Sequence, residues 1–432
     1  MAAAFALASA GASAARAVDL TEIVDSYAPA DPLAVHASLG VDWLWRQRRG
    51  AVRREFTCIA HETLGGESLC PEGSRVLLAD ELRVERTTST LNLEARLGLG
   101  RALELRLTQP LVLYDRHALR FAPGVDEDQS LTDPYNQPSL FDVPSTARER
   151  SGFGDPRLGL RVAPLSGARD PLDPSWVLGA SVELPLASAR RATNTEIGEK
   201  AWRITLSSAH SARVLPWLEP FFSLDGTLAF AAGGSPLADR GPTETVSGPP
   251  QRLGARFGVE LVPFENAETR SAVRLVLGGR VDVWSDGRGH SDLADALGTS
   301  PCDPLDAEAP CSLTTYDRGD TDPVTGFPTK TDGVTTIEHH LAIGGWLGVR
   351  YEVFEALELR AEASATREGD HFVTYADVGV DLDGIGGVER ENAAGARELN
   401  PTWLSSVDRA GRRYRTGDMW TLGIDIAIRA KF

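Results

Sequence analysis

The chain is organised by segments in which apolar and polar residues alternate. The final twelve residues show this most clearly, because Leu422, Ile424, Ile426, Ile428 and Phe432 share one set of alternate positions and polar or small residues fill most of the other set. Side chains of a β-strand point to opposite faces with a period of two. The pattern therefore predicts a strand with one lipid-facing side and one polar side.

Twelve segments of this kind occur along the chain, and most have roughly the ten residues that a tilted strand needs to cross a membrane. The predicted strands are 35–46, 91–99, 103–113, 157–165, 176–186, 202–209, 217–230, 252–262, 272–284, 338–351, 357–367 and 419–432. The second and third are joined only by residues 100–102. Strands linked so closely are predicted to form antiparallel hairpins.

The connections alternate in length, which is a second and independent pattern. Short links follow the even-numbered strands, whereas longer links follow odd-numbered ones and include 47–85, 115–152, 286–334 and 368–418. Outer-membrane barrels have short periplasmic turns and long external loops. The sequence therefore predicts an all-β, transmembrane, antiparallel up-and-down β-barrel of about 12 strands over residues 35–432, in the bacterial outer membrane.

The amino-terminal residues fit a secretory leader. Residues 1–17 are rich in alanine and end in an Ala-x-Ala motif at Ala15 to Ala17, so we predict a partial signal peptide that lacks a basic start. An alanine-rich tail is the alternative. Residues 18–34 are predicted to form a periplasmic segment ahead of the first strand.

Composition excludes several classes of protein. No run approaches the roughly 20 apolar residues of a spanning helix, and the mean hydropathy is −0.18. The net charge of −17 and the pI of 5.0 disfavour nucleic acid as a partner. Seven of the nine tryptophans lie near ends of predicted strands, as in the aromatic girdles of barrels. A soluble two-sheet sandwich with core tryptophans is the alternative fold.

The polar faces of the predicted strands define a lumen of mixed charge. Its inward positions hold thirteen arginines and eleven carboxylates, so we expect an interior close to neutral. Such residues could line a water-filled constriction that selects solutes by charge, or they could pair and plug a narrow barrel. The lumen-lining candidates are Asp42, Glu94, Arg96, Glu104, Arg106, Arg157, Arg161, Glu183, Arg203, Asp225, Arg252, Arg256, Glu260, Arg280, Asp282, Arg360, Glu362 and Asp425.

Four cysteines fall into two local pairs in predicted external loops. Cys58 with Cys70 and Cys302 with Cys311 are predicted to form loop-internal disulfides, because such bonds persist in an oxidising compartment. Neither pair has zinc spacing.

Acidic groups at 126–128 and at 377, 381 and 383 could hold divalent cations that bridge lipopolysaccharide phosphates, but they lack the spacing of a calcium loop. We predict no metal and no cofactor.

One stretch gathers residue types that catalysis uses. Residues 285–292 bring together Ser285, His290, Ser291 and Asp292, and a hydrolase needs a histidine beside a nucleophilic serine and an orienting group. Their order does not match the outer-membrane phospholipase motif. Adjacent His339 and His340 face opposite sides of a strand. The sequence therefore predicts no enzyme.

Three segments carry a family resemblance: TLNLEARLGL at 90–99, LTQPLVL at 107–113 and SGFGDPRLGLRV at 151–162. They resemble the porin-type transporter barrels grouped with phenol-degradation meta-pathway and long-chain fatty-acid channels, and barrels of Gram-negative soil bacteria such as myxobacteria. The strand ending at Phe432 resembles the terminal strand that the barrel assembly machinery reads. No amino-terminal plug of the fatty-acid channel kind is evident.

The resemblance implies passive uptake of small, often hydrophobic molecules. We therefore predict an outer-membrane channel or transporter for small solutes, in contact with membrane lipid, lipopolysaccharide and the assembly machinery. The alternative is a closed structural or surface-interaction barrel whose acidic, disulfide-stapled loops bind a partner or lipopolysaccharide. An open column lined by Gly40, Gly98, Gly159, Gly179, Gly254, Gly258 and Gly344 would favour conduction.

Overall fold

The computed structural model describes most of the chain in separate stretches. They are residues 20–24, 35–57, 76–99, 102–125, 141–166, 174–192, 194–238, 243–266, 268–269, 271–299, 316–321, 328–330, 333–354, 356–389, 392–396, 398–400, 402–403 and 407–432, with backbone alone at 35, 56–57, 316–321 and 328–330. Across these stretches, no helix has the length and apolar character needed to cross a membrane.

Twelve antiparallel strands close into one barrel, as the alternating pattern predicts. They are β1 (Val35–Thr57), β2 (Val76–Leu99), β3 (Leu103–Phe121), β4 (Arg157–Leu165), β5 (Ser175–Glu183), β6 (Ala201–Ser211), β7 (Leu218–Ala231), β8 (Arg252–Asn266), β9 (Ser271–Trp284), β10 (His340–Val353), β11 (Leu357–Glu368) and β12 (Tyr414–Lys431). Each strand pairs with its neighbours in sequence, and β12 pairs with β1 to close the wall. The predicted up-and-down topology is confirmed.

Short elements lie in the longer connections. Ser145–Thr146 and Arg150–Phe153 pair with β3, Gly287–Gly289 pairs with Thr335–Ile337, and Tyr316–Thr321 pairs with Pro328–Lys330. Between β9 and β10 lies one helical turn, α1 (Ala294–Gly298). These elements all belong to links that follow odd-numbered strands, so the extra structure gathers at one end of the barrel.

The outer face of the barrel is apolar and exposed. Every strand contributes large side chains to it, such as Leu277, which is 58% exposed, and Leu347, which is 61% exposed. One outward residue from each strand, in order, is Leu39, Leu97, Leu107, Leu160, Leu178, Ile204, Leu224, Phe257, Leu277, Leu347, Leu359 and Ile426. A closed barrel leaves no unpaired backbone edge in lipid. These outward side chains form an apolar belt around the barrel, and this belt is the surface that contacts the membrane.

The first strand is about twice as long as predicted and the second is more than twice as long, which corrects the prediction of a long loop at 47–85. β1 continues to Thr57 and β2 starts at Val76. On their extensions, Arg49 bonds Glu85 at 2.8 Å and Arg53 bonds Asp80 at 2.8 Å, with most of these side chains well exposed. Charges on the outer face end the lipid-facing alternation at the membrane edge, although the backbone ladder continues beyond it.

The barrel interior as candidate functional site

The interior contains two adjoining cavities of about 430 and 520 Å³. Leu20, Arg256, Trp284 and Arg360 contact both, so the two spaces form one chamber. The predicted lumen residues that line it are Asp42, Glu94, Arg96, Arg106, Arg157, Arg161, Arg203, Asp225, Arg252, Arg256, Glu260, Arg280, Asp282, Arg360, Glu362 and Asp425. Whether these residues act on a solute remains a prediction.

The two remaining candidates, Glu104 and Glu183, do not line the chamber but pair with arginines that do. Glu104 is fully buried and accepts a hydrogen bond from Arg161 at 3.3 Å. Glu183 accepts bonds from Arg157 at 2.8 Å and Arg203 at 2.6 Å. Sequence periodicity places both on the inner face, but whether a carboxylate faces water or an arginine depends on contacts across strands.

A second set of inward charges is buried near the periplasmic turns, at the floor of the chamber. Arg274 donates to Glu260 at 2.8 Å, and both side chains are fully buried. Arg429 donates to Glu358 at 2.9 Å in the same way. Buried charges at this depth require partners of opposite sign. This end of the barrel is therefore held together by ion pairs rather than open to solvent.

Residues 20–24 lie inside the barrel at that end. Arg350 Nη1 and Lys431 Nζ donate to the two Glu22 carboxylate oxygens at 2.8 and 2.7 Å. Val24 N donates to Glu104 Oε2 at 2.7 Å. The Thr21 and Ser211 hydroxyl oxygens are 2.7 Å apart. With Arg161 on β4, which also bonds to it, the segment contacts five strands of the wall and forms an amino-terminal plug.

The sequence showed no plug of the fatty-acid channel kind, and its pattern did not predict that residues 20–24 lie inside the barrel. The contacts of this plug explain why the sequence did not indicate it. Arg161 donates to the backbone carbonyl oxygens of Leu20 and Glu22 at 2.7 and 2.9 Å, and backbone groups leave no signature in the side-chain pattern. Among the plug residues, Leu20 alone lines the chamber, so its side chain forms part of the periplasmic floor.

The external end is closed by the connection between β9 and β10. Leu293, Ala296 and Leu297 are almost completely buried in an apolar cluster with inward residues of the long strands. The other members are Val52, Leu82, Val84, Leu119, Phe141, Val373, Val407, Tyr414 and Met419. The turn of helix and its flanks, residues 290–298, therefore form a packed external lid over the chamber.

Ion pairs connect the lid to strand β1 and to two neighbouring connections, those between β3 and β4 and between β5 and β6. Arg150 donates to Asp295 at 2.5 and 3.1 Å, and Arg190 donates at 3.0 Å. Arg48 bonds Asp292 at 3.0 Å and also pairs with Glu368. Burial alone would raise the pKa of the Asp295 carboxyl, but the bond from His117 and the two guanidinium groups hold that pKa well below its ordinary value. The carboxylates of Asp292 and Asp295 on the lid are thus paired with arginines around them.

His290 is buried in the lid, close to charged groups that include Arg190 and Asp295. Burial, aided by the nearby Arg190 guanidinium, lowers the pKa of His290 to about 4. Neither ring nitrogen makes a hydrogen bond with any residue that the structure describes. Within the described residues, His290 therefore lacks the hydrogen bonds to a serine and to an orienting group that a general base needs.

Two clusters of possible metal ligands occur among the described residues apart from the plug. His340, Glu368 and His371 bring ligand atoms within 4.8 Å of one another. The two imidazoles are stacked, with centroids 3.8 Å apart and planes 10° apart, so one ion cannot lie in the plane of both rings. Asp381, Asp383 and Glu398 form an acidic cluster on the outer loop between β11 and β12.

The acidic candidates divide between described and undescribed parts of the chain. Asp377 does not join its predicted partners but accepts a hydrogen bond from Thr245 at 2.9 Å. Residues 126–128 lie outside the described residues, as do Cys58, Cys70, Cys302 and Cys311 and the predicted leader at 1–17. The disulfides and the signal peptide stay predictions.

Aromatic residues were only partly placed by the sequence. Trp202, Trp217 and Trp420 are exposed near strand ends, as an interfacial girdle requires. Trp284 is different, since it lines the chamber. The pleat would have shown this, because Trp284 shares its face with Arg280 and Asp282. Inward Phe221 and Trp346 also line the chamber and were missed.

The closed strand order, the exposed apolar belt and the charged interior define a transmembrane β-barrel of the porin type, the architecture of the bacterial outer membrane. No family model and no curated protein sequence matches the chain. Solved structures that align with it include an outer membrane channel from Pseudomonas putida F1, at 10% identity and a TM-score of 0.37, covering 93% of this chain and 97% of that one.

A second aligned structure is a FadL homologue from Pseudomonas aeruginosa, at 9% identity and a TM-score of 0.31, covering 92% and 90%. A third is the outer membrane channel DcaP of Acinetobacter baumannii, at 8% identity and a TM-score of 0.25, covering 92% and 97%. The assignment to the outer membrane rests on the strands and outer belt of this chain itself.

Proposed function

We propose that this barrel transports small solutes passively across the outer membrane, with the plug and the external lid as its two closures. The observation that supports the proposal is the chamber between them. A barrel of about eight strands is filled by its own side chains, whereas one of sixteen holds an aqueous channel. Here twelve strands leave cavities of about 430 and 520 Å³ lined by charged groups, which suits a small polar or charged solute.

The plug is built so that it can leave without unfolding the wall. It is five residues long in the described chain and makes no strand pairing with the barrel. Side-chain contacts to Glu22 and Thr21 fix it, together with bonds to its backbone. Its release would open the chamber to the periplasm while all twelve strand pairs stay intact.

A reversible lock on the plug tests this proposal. Because the Thr21 and Ser211 hydroxyl oxygens are 2.7 Å apart, cysteines at both positions would be close enough to form a disulfide. Single-channel conductance in a planar bilayer is compared before and after reduction. The controls are the unaltered protein and the two single variants, Thr21→Cys and Ser211→Cys, under the same reductant, since the chain has four native cysteines.

We expect the oxidised double variant to be silent and reduction to restore discrete conductance steps. The single variants and the unaltered protein should conduct in both states. A folded, unaltered protein that never conducts, even after reduction, would refute the transport proposal. Equal conductance of the locked and reduced double variant would show instead that solutes bypass the plug.

A closed surface-interaction barrel remains the second candidate, favoured by the packing of the external lid. Its helical turn is completely buried in the apolar cluster, as a permanent seal would be. In that case the acidic outer loops would bind lipopolysaccharide or a protein partner. Conductance distinguishes the two candidates, because a permanent seal gives no steps in any variant of the plug.

A further inference from the structure

A row of four inward residues crosses four neighbouring strands at one level of the chamber. Gly258 on β8 pairs with Phe221 on β7 and with Gly278 on β9, and Gly278 pairs with Trp346 on β10. The two aromatic rings approach each other over the glycines, with centroids 6.2 Å apart and planes tilted by 32°. We name this row the aromatic shelf.

The glycines make the shelf possible. A Cβ at Gly258 would lie 2.6 Å from Phe221 Cζ, and a Cβ at Gly278 would collide with the six-membered ring of the Trp346 indole. Real side chains do not approach this closely. Only glycine at both positions lets the rings lie against the wall, so the shelf forms a flat apolar patch in an otherwise charged chamber.

The next inward row places two arginines side by side. Arg256 is directly opposite Arg280, and Arg256 also pairs with Ser223. Like charges directly opposite each other in a sheet are destabilising. Arg280 pairs with Asp282, whereas no hydrogen bond or ion pair joins Arg256 to a residue within the described part of the chain. Arg252, Arg256 and Arg280 surround the carboxylates of Asp225 and Asp282 here, which leaves one more positive than negative charge one row from the shelf.

Arginines outnumber carboxylates among the residues that line the whole chamber. Eleven arginines line the two cavities against eight carboxylates. Arg256 lines both cavities, and so does Trp284. Two inward carboxylates that do not line the chamber, Glu104 and Glu183, pair with arginines that do. The local excess of positive charge at Arg256 and Arg280 would favour an anion beside the shelf.

We propose that the chamber binds a small carboxylate anion with a flat apolar body, which rests on the proposed transport function for its biological role. Arg256 and Arg280 take the carboxylate, since guanidinium groups match its two oxygens. Trp346 and Phe221 take the apolar body. The cavity of about 430 Å³ at the shelf lies in the size range of small-molecule sites, and a benzoate-sized ligand suits it.

Calorimetry on the full chain refolded in detergent tests the proposal with three probes. Benzoate has both charge and body, toluene has the body alone, and acetate has the charge alone. The variants are Arg256→Gln and, as a matched control, Arg157→Gln, which removes a chamber arginine that pairs with Glu183 on β5. Each is also prepared with Glu22→Gln, so that weakened plug contacts give the probe a route in. The heat-dependent shift of a folded barrel in electrophoresis checks folding.

Benzoate is expected to bind more tightly than toluene and acetate. Arg256→Gln should weaken benzoate by about tenfold or more, the usual effect of losing a charged hydrogen bond, and leave toluene unchanged. Arg157→Gln should change benzoate by no more than about twofold. Benzoate affinity equal in Arg256→Gln, or equal to that of toluene or acetate, would overturn the site, as would no binding in either background.

Failure of this site and failure of transport are distinguishable. Binding is measured in detergent, where no solute crosses a membrane. A barrel that binds benzoate but never conducts would refute the transport proposal and leave the site in place. A barrel that conducts but does not prefer benzoate would do the reverse.

Discussion

Replacing Glu22 by glutamine should loosen the plug and raise the open fraction of the channel. The carboxylate accepts bonds from Arg350 and Lys431 at 2.8 and 2.7 Å, and all three side chains are largely buried. The Glu22→Gln substitution would keep the size of the side chain but remove its charge and one acceptor. The change therefore tests the electrostatic attachment of the plug rather than its shape.

The expected loss of free energy that holds the plug in place depends on which partners Arg350 and Lys431 keep. A hydrogen bond to a charged group contributes about 1.5–3 kcal/mol. Leaving a buried charge unpaired costs about 3–5 kcal/mol, but Lys431 keeps Glu358 at 3.0 Å and Arg350 keeps Glu260 at 3.5 Å. We therefore expect a loss near the lower figure, about 2 kcal/mol, which raises the ratio of open to closed plug about 30-fold.

Single-channel recording measures this ratio from open and closed dwell times. The control is Glu85→Gln, whose carboxylate pairs with Arg49 on the outer face, where both side chains are about half exposed. An exposed pair contributes at most about 1 kcal/mol, so the control should change the ratio little. Unchanged dwell times in a folded Glu22→Gln barrel would contradict the assignment of the plug as a gate.

Three further outcomes follow from the lid and the terminal strand. Leu297→Ala should destabilise the lid by about 3 kcal/mol through the cavity it leaves, seen as faster protease cleavage at 285–299, whereas Leu277→Ala on the lipid face should not. The unfolded lid gains a proton on His290 below its ordinary pKa of 6.5, whereas the folded lid does so only near the lowered pKa of about 4. The stability of the lid is therefore full above pH 6.5 and falls by about 2 kcal/mol at pH 5. Melting curves of His290→Gln should show a weaker dependence on pH over this range. We also propose that the assembly machinery reads Phe432, which is 71% exposed, so Phe432→Ala should lower the amount of protein in the outer membrane while refolding in detergent stays unchanged.

The strands were predictable because each one records its own environment. Lipid on one side and charge on the other force a period of two, so all twelve strands and their inward faces are visible in the sequence. The extensions of β1 and β2 were not, because Arg49 and Arg53 interrupt the apolar face although their backbone remains paired. The apolar alternation reflects contact with lipid, so it does not predict the parts of a strand that extend beyond the membrane.

The two closures were missed for a different reason, since tertiary contacts stabilise both. The helical turn at Ala294–Gly298 has Leu293 as its N-cap residue, and the Leu293 side chain makes no capping hydrogen bond. Five residues are too few for a helix to form alone, and burial in the apolar cluster holds this one together. The plug likewise depends on partners far away in sequence, such as Arg350 and Lys431 for Glu22.

The aromatic shelf shows where the alternating pattern stops being informative. Parity fixes that Gly258, Gly278 and Trp346 face inward, but only the register fixes that they share one level. A slip of two residues between β8 and β9 would keep every side chain on its own face, with the same barrel and the same belt. It would nevertheless put Val276 or Arg280 opposite Gly258 in place of Gly278, so the flat patch and the arginine pair would both be lost. The fold of this barrel thus depends on parity, whereas its candidate ligand site depends on register.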